Sequence, residues 1–309
     1  MCEKKWDIFI YGDVNIDLVI PDVSELPGPG EEVETETMET FVGGGAALFA
    51  LGLSKLGARV AFQGSVGGDL YGDYILNVFR KQGMDCTLLQ RRESEKTGIS
   101  LSFTNEKDRS FLTMRGTNEH LNITEIDFNK LKSARHFHVT GYAFGKNHDG
   151  YLQLLKKIKK ETDLTVSFDL GWDSTGLWSK RIYELFPYID VLFMNESEAL
   201  GYSGKNTPEE AARDFVVYGP LVVLKLGVKG SMATAEDNGI IRRQSFKVKA
   251  VDTTGAGDSF NAGFIYGYVN TMPVSDCLVY GNGCGALSVT QLGGNTGFPD
   301  LKTLKEFIG

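Results

Sequence analysis

The 309-residue sequence predicts an α/β protein. The expected architecture is a three-layer αβα sandwich on a mostly parallel central sheet, with a small β-flap formed by two inserted segments. Three observations lead there. Short apolar runs alternate with helical patterns along most of the chain, as the βα units of a parallel sheet do. Several of these runs end in glycine or a small polar residue, at Gly12-Asp13, Gly64, Asp169, Asn195 and Gly227. Open α/β sheets bind ligands beyond the carboxyl ends of their strands, so five such ends imply a site. Two stretches, 13–40 and 96–117, are strand-like without a helical period and break the alternation.

In chain order, residues 7–11 read as a buried strand ending at Gly12. Residues 45–56 form an alanine-rich helix closed by Gly57, and 59–63 a strand ending at Gly64. Residues 69–82 read as a helix with Leu70, Tyr74, Val78 and Phe79 on one face and Gly83 after it. Further strands are expected over 135–140, 165–169, 190–195 and 221–226. Between them, Thr207-Pro208-Glu209-Glu210 opens a helix with a capping residue and then proline at the first helical position. In the flap, Ile99, Leu101 and Phe103 alternate with Ser100, Ser102 and Thr104. A turn at Asn105-Glu106-Lys107-Asp108 follows, and 109–115 runs back. A second hairpin, 231–246 about Asp237-Asn238-Gly239, has the Asn-Gly turn signal and extends the main sheet. The division is therefore a core of 1–12, 41–95 and 118–309, and a β-lid of 13–40 and 96–117. Such a lid covers a cleft or buries its apolar face against a second subunit.

Composition narrows the partners. A net charge of −8 offers no basic field for nucleic acid or an anionic membrane. Lys55 and Arg59 interrupt the best candidate for a membrane span. Met1-Cys2-Glu3-Lys4-Lys5-Trp6-Asp7 lacks the apolar region of a signal peptide. Cys2, Cys86, Cys277 and Cys284 are widely spread without metal-ligand spacing, which fits reduced thiols in a cytoplasmic protein. His136 and His138 alternate along a strand and point the same way. With no third ligand nearby, a metal site there is not expected.

The stretch 251–264 carries the strongest chemical signal. Two glycines bracket Ala256, and an amphipathic run follows at Phe260, Phe264, Ile265, Tyr268 and Val269. This reads as a glycine turn opening into a helix near Asp258, after a strand-like stretch at 246–251. Glycine lets a backbone approach a ligand closely, and the free N–H groups of a first helical turn suit a phosphate. Asp258 then sits beside any anion held there. Taken alone, the pattern also fits an N-capping carboxylate after an ordinary loop. At the front of the same edge, Asn15 and Asp17 share one strand face, and Val14, Ile16 and Leu18 the other. An amide beside a carboxylate suits sugar hydroxyls, although the solvent face of an edge strand looks the same. Gly43-Gly44-Gly45 before a helix offers a second close approach.

Asp252-Thr253-Thr254-Gly255-Ala256-Gly257-Asp258-Ser259-Phe260 resembles the C-terminal signature of the ribokinase-like (PfkB-type) carbohydrate kinases. The resemblance spans nearly the whole chain in the family's order. It includes Gly12-Asp13-x-Asn15-x-Asp17, Gly43-Gly44-Gly45, Gly64-x-Val66-Gly67-x-Asp69-x-x-Gly72, Asn195-x-x-Glu198 and Leu226-Gly227-x-Lys229-Gly230. It implies an ATP- and Mg2+-dependent kinase acting on a primary hydroxyl of a small sugar or sugar acid. Asp258 would be the base, and the N–H groups of Gly255, Ala256 and Gly257 the anion hole. Asn15, Asp17 and Gly43 to Gly45 would meet the sugar. Asn195 and Glu198 would hold the Mg2+-phosphate assembly, partly through water. Lys225, Gly227, Gly230 and Asn282 fall on the nucleotide side, and Asp252 with the Thr254 carbonyl matches a K+ site.

Two departures stand out. Leu48 replaces an asparagine that in many members bonds a sugar hydroxyl, which should change the substrate that fits. Lys225 replaces a threonine. Arg109 and Arg115 in the lid suit the carboxylate of a keto-acid sugar, and they equally fit solvated turn charge. The glycine motif lacks a lysine, which disfavours a sugar phosphate. A homodimer through the lids follows from their apolar face. Two alternatives stay open: a nucleoside kinase, which Leu48 favours, and a sugar- or nucleotide-sensing protein without turnover. The complete Gly-Ala-Gly-Asp and Asn-x-x-Glu sets argue against the second.

Overall fold

The structure, a computed structural model, describes residues 4–21, 23, 28–104, 109–142, 147–173, 175–235 and 239–309. The turn anticipated at 105–108 and residues 237–238 of the Asn-Gly turn lie outside them. The strands are β1 (Trp6–Tyr11), β2 (Asn15–Ile20), β3 (Glu39–Gly43), β4 (Val60–Gly67), β5 (Leu89–Arg92), β6 (Gly98–Thr104), β7 (Arg109–Met114), β8 (Ala134–Thr140), β9 (Thr165–Asp169), β10 (Val191–Asn195), β11 (Leu221–Lys225), β12 (Ser231–Thr234) and β13 (Ile240–Arg243).

Nine of them form one sheet in the order β13-β12-β11-β10-β9-β8-β1-β4-β5. Its strands pair in parallel from β5 to β11. The β12–β13 hairpin extends it antiparallel, as the Asn-Gly signal implied. Burial on both faces explains why inner strands such as β1, β10 and β11 read as unbroken apolar runs, while the edge strands β5 and β13 carry exposed polar residues. Phe9, Leu192 and Leu224 enter one buried cluster. Their neighbours Ile8, Ile10, Phe193 and Val223 enter the other, with Phe49 and Phe264 from the covering helices. The remaining four strands make a second sheet, β3-β2-β6-β7, built from the two inserted segments. Pairing of Gly43 with Asn15 carries this sheet past residue 40.

Three local expectations are corrected. The helix Leu70–Lys81 is capped by Asp69 but buries Gly72, Ile75 and Phe79, while Leu70 is 85 % exposed and Tyr74 lies at the surface. The cause is Gly72, whose backbone packs so closely on the Gly67 carbonyl that a Cβ would collide with it. That contact turns the 72–75–79 stripe inward. Gly64 does not end a strand: β4 continues to Gly67 because 64–67 pairs with 89–92. Residues 246–251 look strand-like yet belong to no strand. Just before them, Asn282 Nδ2 donates to the carbonyls of Arg243 and Gln244, at the point where the chain leaves the sheet.

His136 and His138 are buried between hydroxyls. His136 reaches Thr165 (2.8 Å) and Ser167 (2.6 Å), and His138 reaches Ser167 (2.7 Å) and Thr140 (3.0 Å). Burial lowers both pKa values, that of His138 to about 3. They are neutral core residues that tie β8 to β9. Among the described residues Cys86, Cys277 and Cys284 are free thiols, and no helix is long and apolar enough to cross a membrane.

Candidate active site

The parallel strands bring their carboxyl ends to one edge. There β1 leads into Gly12-Asp13, β9 ends at Asp169, β10 at Asn195 and β11 at Lys225. The helix Ala256–Val269 starts at the same edge, with Gly255 as its left-handed cap (φ 72°) and Asp258 in its first turn. It opens two residues earlier than the spacing suggested, so Ala256 and Gly257 belong to the first turn. Gly255 is obligatory here, since a side chain would be strained at that φ and would collide with the Gly294 carbonyl.

The second glycine motif meets the first. Gly44 (φ 93°) caps the helix Gly45–Lys55. The Asp13 carboxylate accepts the N–H groups of Gly45 and Ala46, both at 3.1 Å. Gly45 backs directly onto Asp258: a Cβ there would stand 3.3 Å from Oδ1. Asp17 lies against Gly43, where any Cβ would strike its carboxylate, and Asn15 Nδ2 donates to Asp17 Oδ1 at 2.7 Å. Asn15, Asp17, Gly43, Gly44, Gly45 and Asp258 are thus gathered as expected.

On the other side of Asp258 a cleft of about 630 Å³ runs out from Ala256 and Gly257, lined by Lys225, Gly227, Gly230 and Asn282. Asn195 and Glu198 form a reciprocal cap of the helix Glu196–Ser203, each side chain accepting the other's N–H at 2.8 Å. Asp252 accepts from Thr254 N–H (2.8 Å), Thr254 Oγ1 (2.7 Å) and Gly293 N–H (2.9 Å). Leu48 is buried toward Gly294, beside the Thr254 side chain. Arg115 is half exposed, 4.0 Å from Glu119, and close enough to Asp13 for its charge to act there. The Arg109 side chain lies outside the described residues.

Sequence reasoning missed a buried network. Lys225 Nζ and Asn261 Nδ2 both donate to Asp169 Oδ2 at 2.5 Å. The spacing of Asn261 three residues after Asp258 was the one available hint, because it puts both on one helix face.

The electrostatics are set by carboxylates crowded around one ammonium. Burial, then the charges of Asp169, Asp13 and Glu198, push Asp258 well above the usual aspartate range, with Lys225 opposing. Burial and Asp169 likewise raise Glu198. Burial disfavours the charge on Lys225, but Asp169 and Glu198 outweigh it and raise its pKa.

A family model described as pfkB family carbohydrate kinase matches residues 5–301. The chain belongs to that family. Among its relatives, a 5-dehydro-2-deoxygluconokinase of Clostridium botulinum is 28 % identical, with 99 % of this chain and 94 % of that protein covered. An Escherichia coli structure described as a ribokinase II with ATP and Mg2+ superposes with a TM-score of 0.86 at 25 % identity, covering 98 % and 99 % of the two chains. A nucleoside kinase of Methanocaldococcus jannaschii gives 0.84 at 25 % identity over 99 % of each chain. The present chain is thus an ATP-dependent carbohydrate kinase of the pfkB family, and the four-stranded sheet beside its edge has the form of a lid.

Proposed function

We propose that this pfkB-family kinase transfers the γ-phosphoryl group of ATP to a primary hydroxyl of a small sugar acid or sugar, with Asp258 as the base. The observation that carries this is the approach of Gly45 to Asp258, because it sets the anion-side turn and the sugar-side turn on either side of one carboxylate. Asn15 and Asp17 hold the sugar hydroxyls, Asp258 takes the proton of the attacking one, and the N–H groups of Gly255 and Gly257 face the phosphoryl oxygens. The Ala256 N–H, which donates to the Thr253 carbonyl at 3.3 Å, joins them only by leaving that bond. The lid sheet excludes water, the competing acceptor. The relative's name brings sugar acids to the front, and Arg115, whose charge acts on Asp13, suits a carboxylate.

The donor set fits Mg2+. Glu198 has Oε2 engaged by Asn195 and a second oxygen for a bound water. Among the described residues no group of three or more His, Cys, Asp or Glu is arranged as a metal cage, which suits an ion carried chiefly by phosphate oxygens and water. Bound there, it neutralises phosphate charge. Asp252 and the Thr254 carbonyl are proposed to border a K+ site.

ADP release measured across hexoses, pentoses, keto-acid sugars and nucleosides tests the reading. A sugar or sugar acid should give the highest kcat/KM. Preference for a nucleoside would favour the second reading, and no ADP release with any acceptor would overturn both. Leu48, the feature that pointed to a nucleoside, packs toward Gly294.

Leu112 and Met114 remain 64 % and 47 % exposed on β7, an edge strand of the lid sheet. We infer that this edge meets a second copy. Sedimentation at micromolar concentration should give twice the 34.0 kDa chain mass, and a monomer would remove the proposal.

A further inference from the structure

Lys225 stands where the nucleotide cleft ends and the anion turn begins. It closes β11 in register with Asn195 of β10. Its side chain is 15 % exposed, and its ammonium crosses β10 to the Asp169 carboxylate, itself 7 % exposed. On its other side Nζ faces Gly257, where a Cβ would stand 3.4 Å away. An ammonium has three donors, and Asp169 is its one hydrogen-bond partner among the described residues, so two remain for an incoming oxyanion. Asp169 does not depend on the lysine alone, because Asn261 Nδ2 binds the same oxygen. Among the described residues, the charges that act on Asp258 are those of Asp169, Asp13 and Glu198 and, opposing them, that of this lysine.

Resting on the kinase reading above, we propose that Lys225 is a catalytic cation for the transferring phosphoryl group, and that Asp169, braced by Asn261, is the positioning residue that presents it. In the step it serves, the acceptor hydroxyl oxygen bonds to the γ-phosphorus as the bond from that phosphorus to the β–γ bridging oxygen breaks. ADP leaves with the electron pair, and the hydroxyl proton passes to Asp258. Lys225 donates to a γ-phosphoryl oxygen throughout, and Asn261 keeps Asp169 partnered as the lysine turns toward the phosphate. A threonine at this position would offer a hydroxyl; a lysine offers charge where four carboxylates otherwise repel a triphosphate.

Removing one member of a buried pair endangers the fold, so the test uses Lys225→Met combined with Asp169→Asn, which keeps the pair neutral. The double variant should bind ADP within about threefold of the parent. It should bind a non-hydrolysable ATP analogue about tenfold more weakly, and its kcat should fall about 10²-fold. Asp169→Asn alone should move the alkaline limb of the rate profile to lower pH, because Lys225 loses its hydrogen-bonded carboxylate and keeps only the charges of Glu198 and Asp258 to hold its proton. Parental discrimination between the ATP analogue and ADP in the double variant, or an unmoved alkaline limb in Asp169→Asn, would overturn the assignment. A parent that turns over no acceptor would sink the kinase reading instead, leaving the comparison of the two nucleotides to judge Lys225.

Discussion

Asp258→Asn is expected to lower kcat by about 10²–10⁴-fold with little change in sugar affinity, because it deletes the proton acceptor and keeps the shape of the site. The same substitution should raise the melting temperature. Burial and the charges of Asp169, Asp13 and Glu198 raise the pKa of Asp258 in the folded chain. For a carboxyl shifted upward, the folded state gains from the protonated form. That gain is complete below the ordinary aspartate value and is lost as pH rises through the raised one. At neutral pH the ionised side chain is therefore a burden on the fold, and a neutral amide relieves it. The parent's rate should also fall on acidification at a higher pH than an ordinary carboxylate would dictate. Initial rates against pH and calorimetric melting of both proteins decide this. Near-parental turnover in the variant would remove Asp258 from the chemistry, and a lower melting temperature would contradict its electrostatic load.

That pairing of lost stability with a reactive group was only half legible in the sequence. Most parallel strands announced themselves, because burial on both faces demands an unbroken apolar run such as 191–194, but β5 did not, since Gln90 and Arg91 lie exposed at the sheet edge. The glycine turns were legible too, since Gly44 and Gly255 adopt backbone conformations that side chains resist. What a linear reading cannot supply is which strand ends become neighbours. Asp169 and Lys225 are 56 residues apart, and their ion pair exists only because β9, β10 and β11 lie side by side. Periodicity likewise offered Leu70 and Tyr74 as core, when a backbone contact at Gly72 selects the stripe beside them. Residues 246–251 looked strand-like, but they pair with no strand among the described residues.

Two substitutions in the signature turn should separate structural glycine from functional glycine. Gly255→Ala places a side chain at φ 72° and drives its Cβ into the Gly294 carbonyl oxygen. The backbone conformation alone costs about 1–2 kcal/mol. The collision is with main chain, which cannot swing aside as a flexible side chain would. Gly294 packs near Leu48 and Thr254, and the adjacent Gly293 N–H donates to Asp252 at 2.9 Å, so the displacement spreads into the 252–254 loop. Melting should drop by several degrees and kcat by about 10²-fold or more, the scale of losing an anion-hole donor. Gly257→Ala should do the reverse to stability. Its φ is not positive, its Cβ meets nothing nearer than the Lys225 ammonium at 3.4 Å, and alanine is the better residue inside a helix. The protein should melt at the same temperature or higher, while its methyl group intrudes where the phosphoryl group must sit beside Lys225. A fall of about tenfold or more in kcat/KM for ATP is expected from that intrusion. If Gly257→Ala keeps parental kinetics, the phosphoryl group does not pass over this turn, and both Asp258 and Lys225 lose the roles given to them.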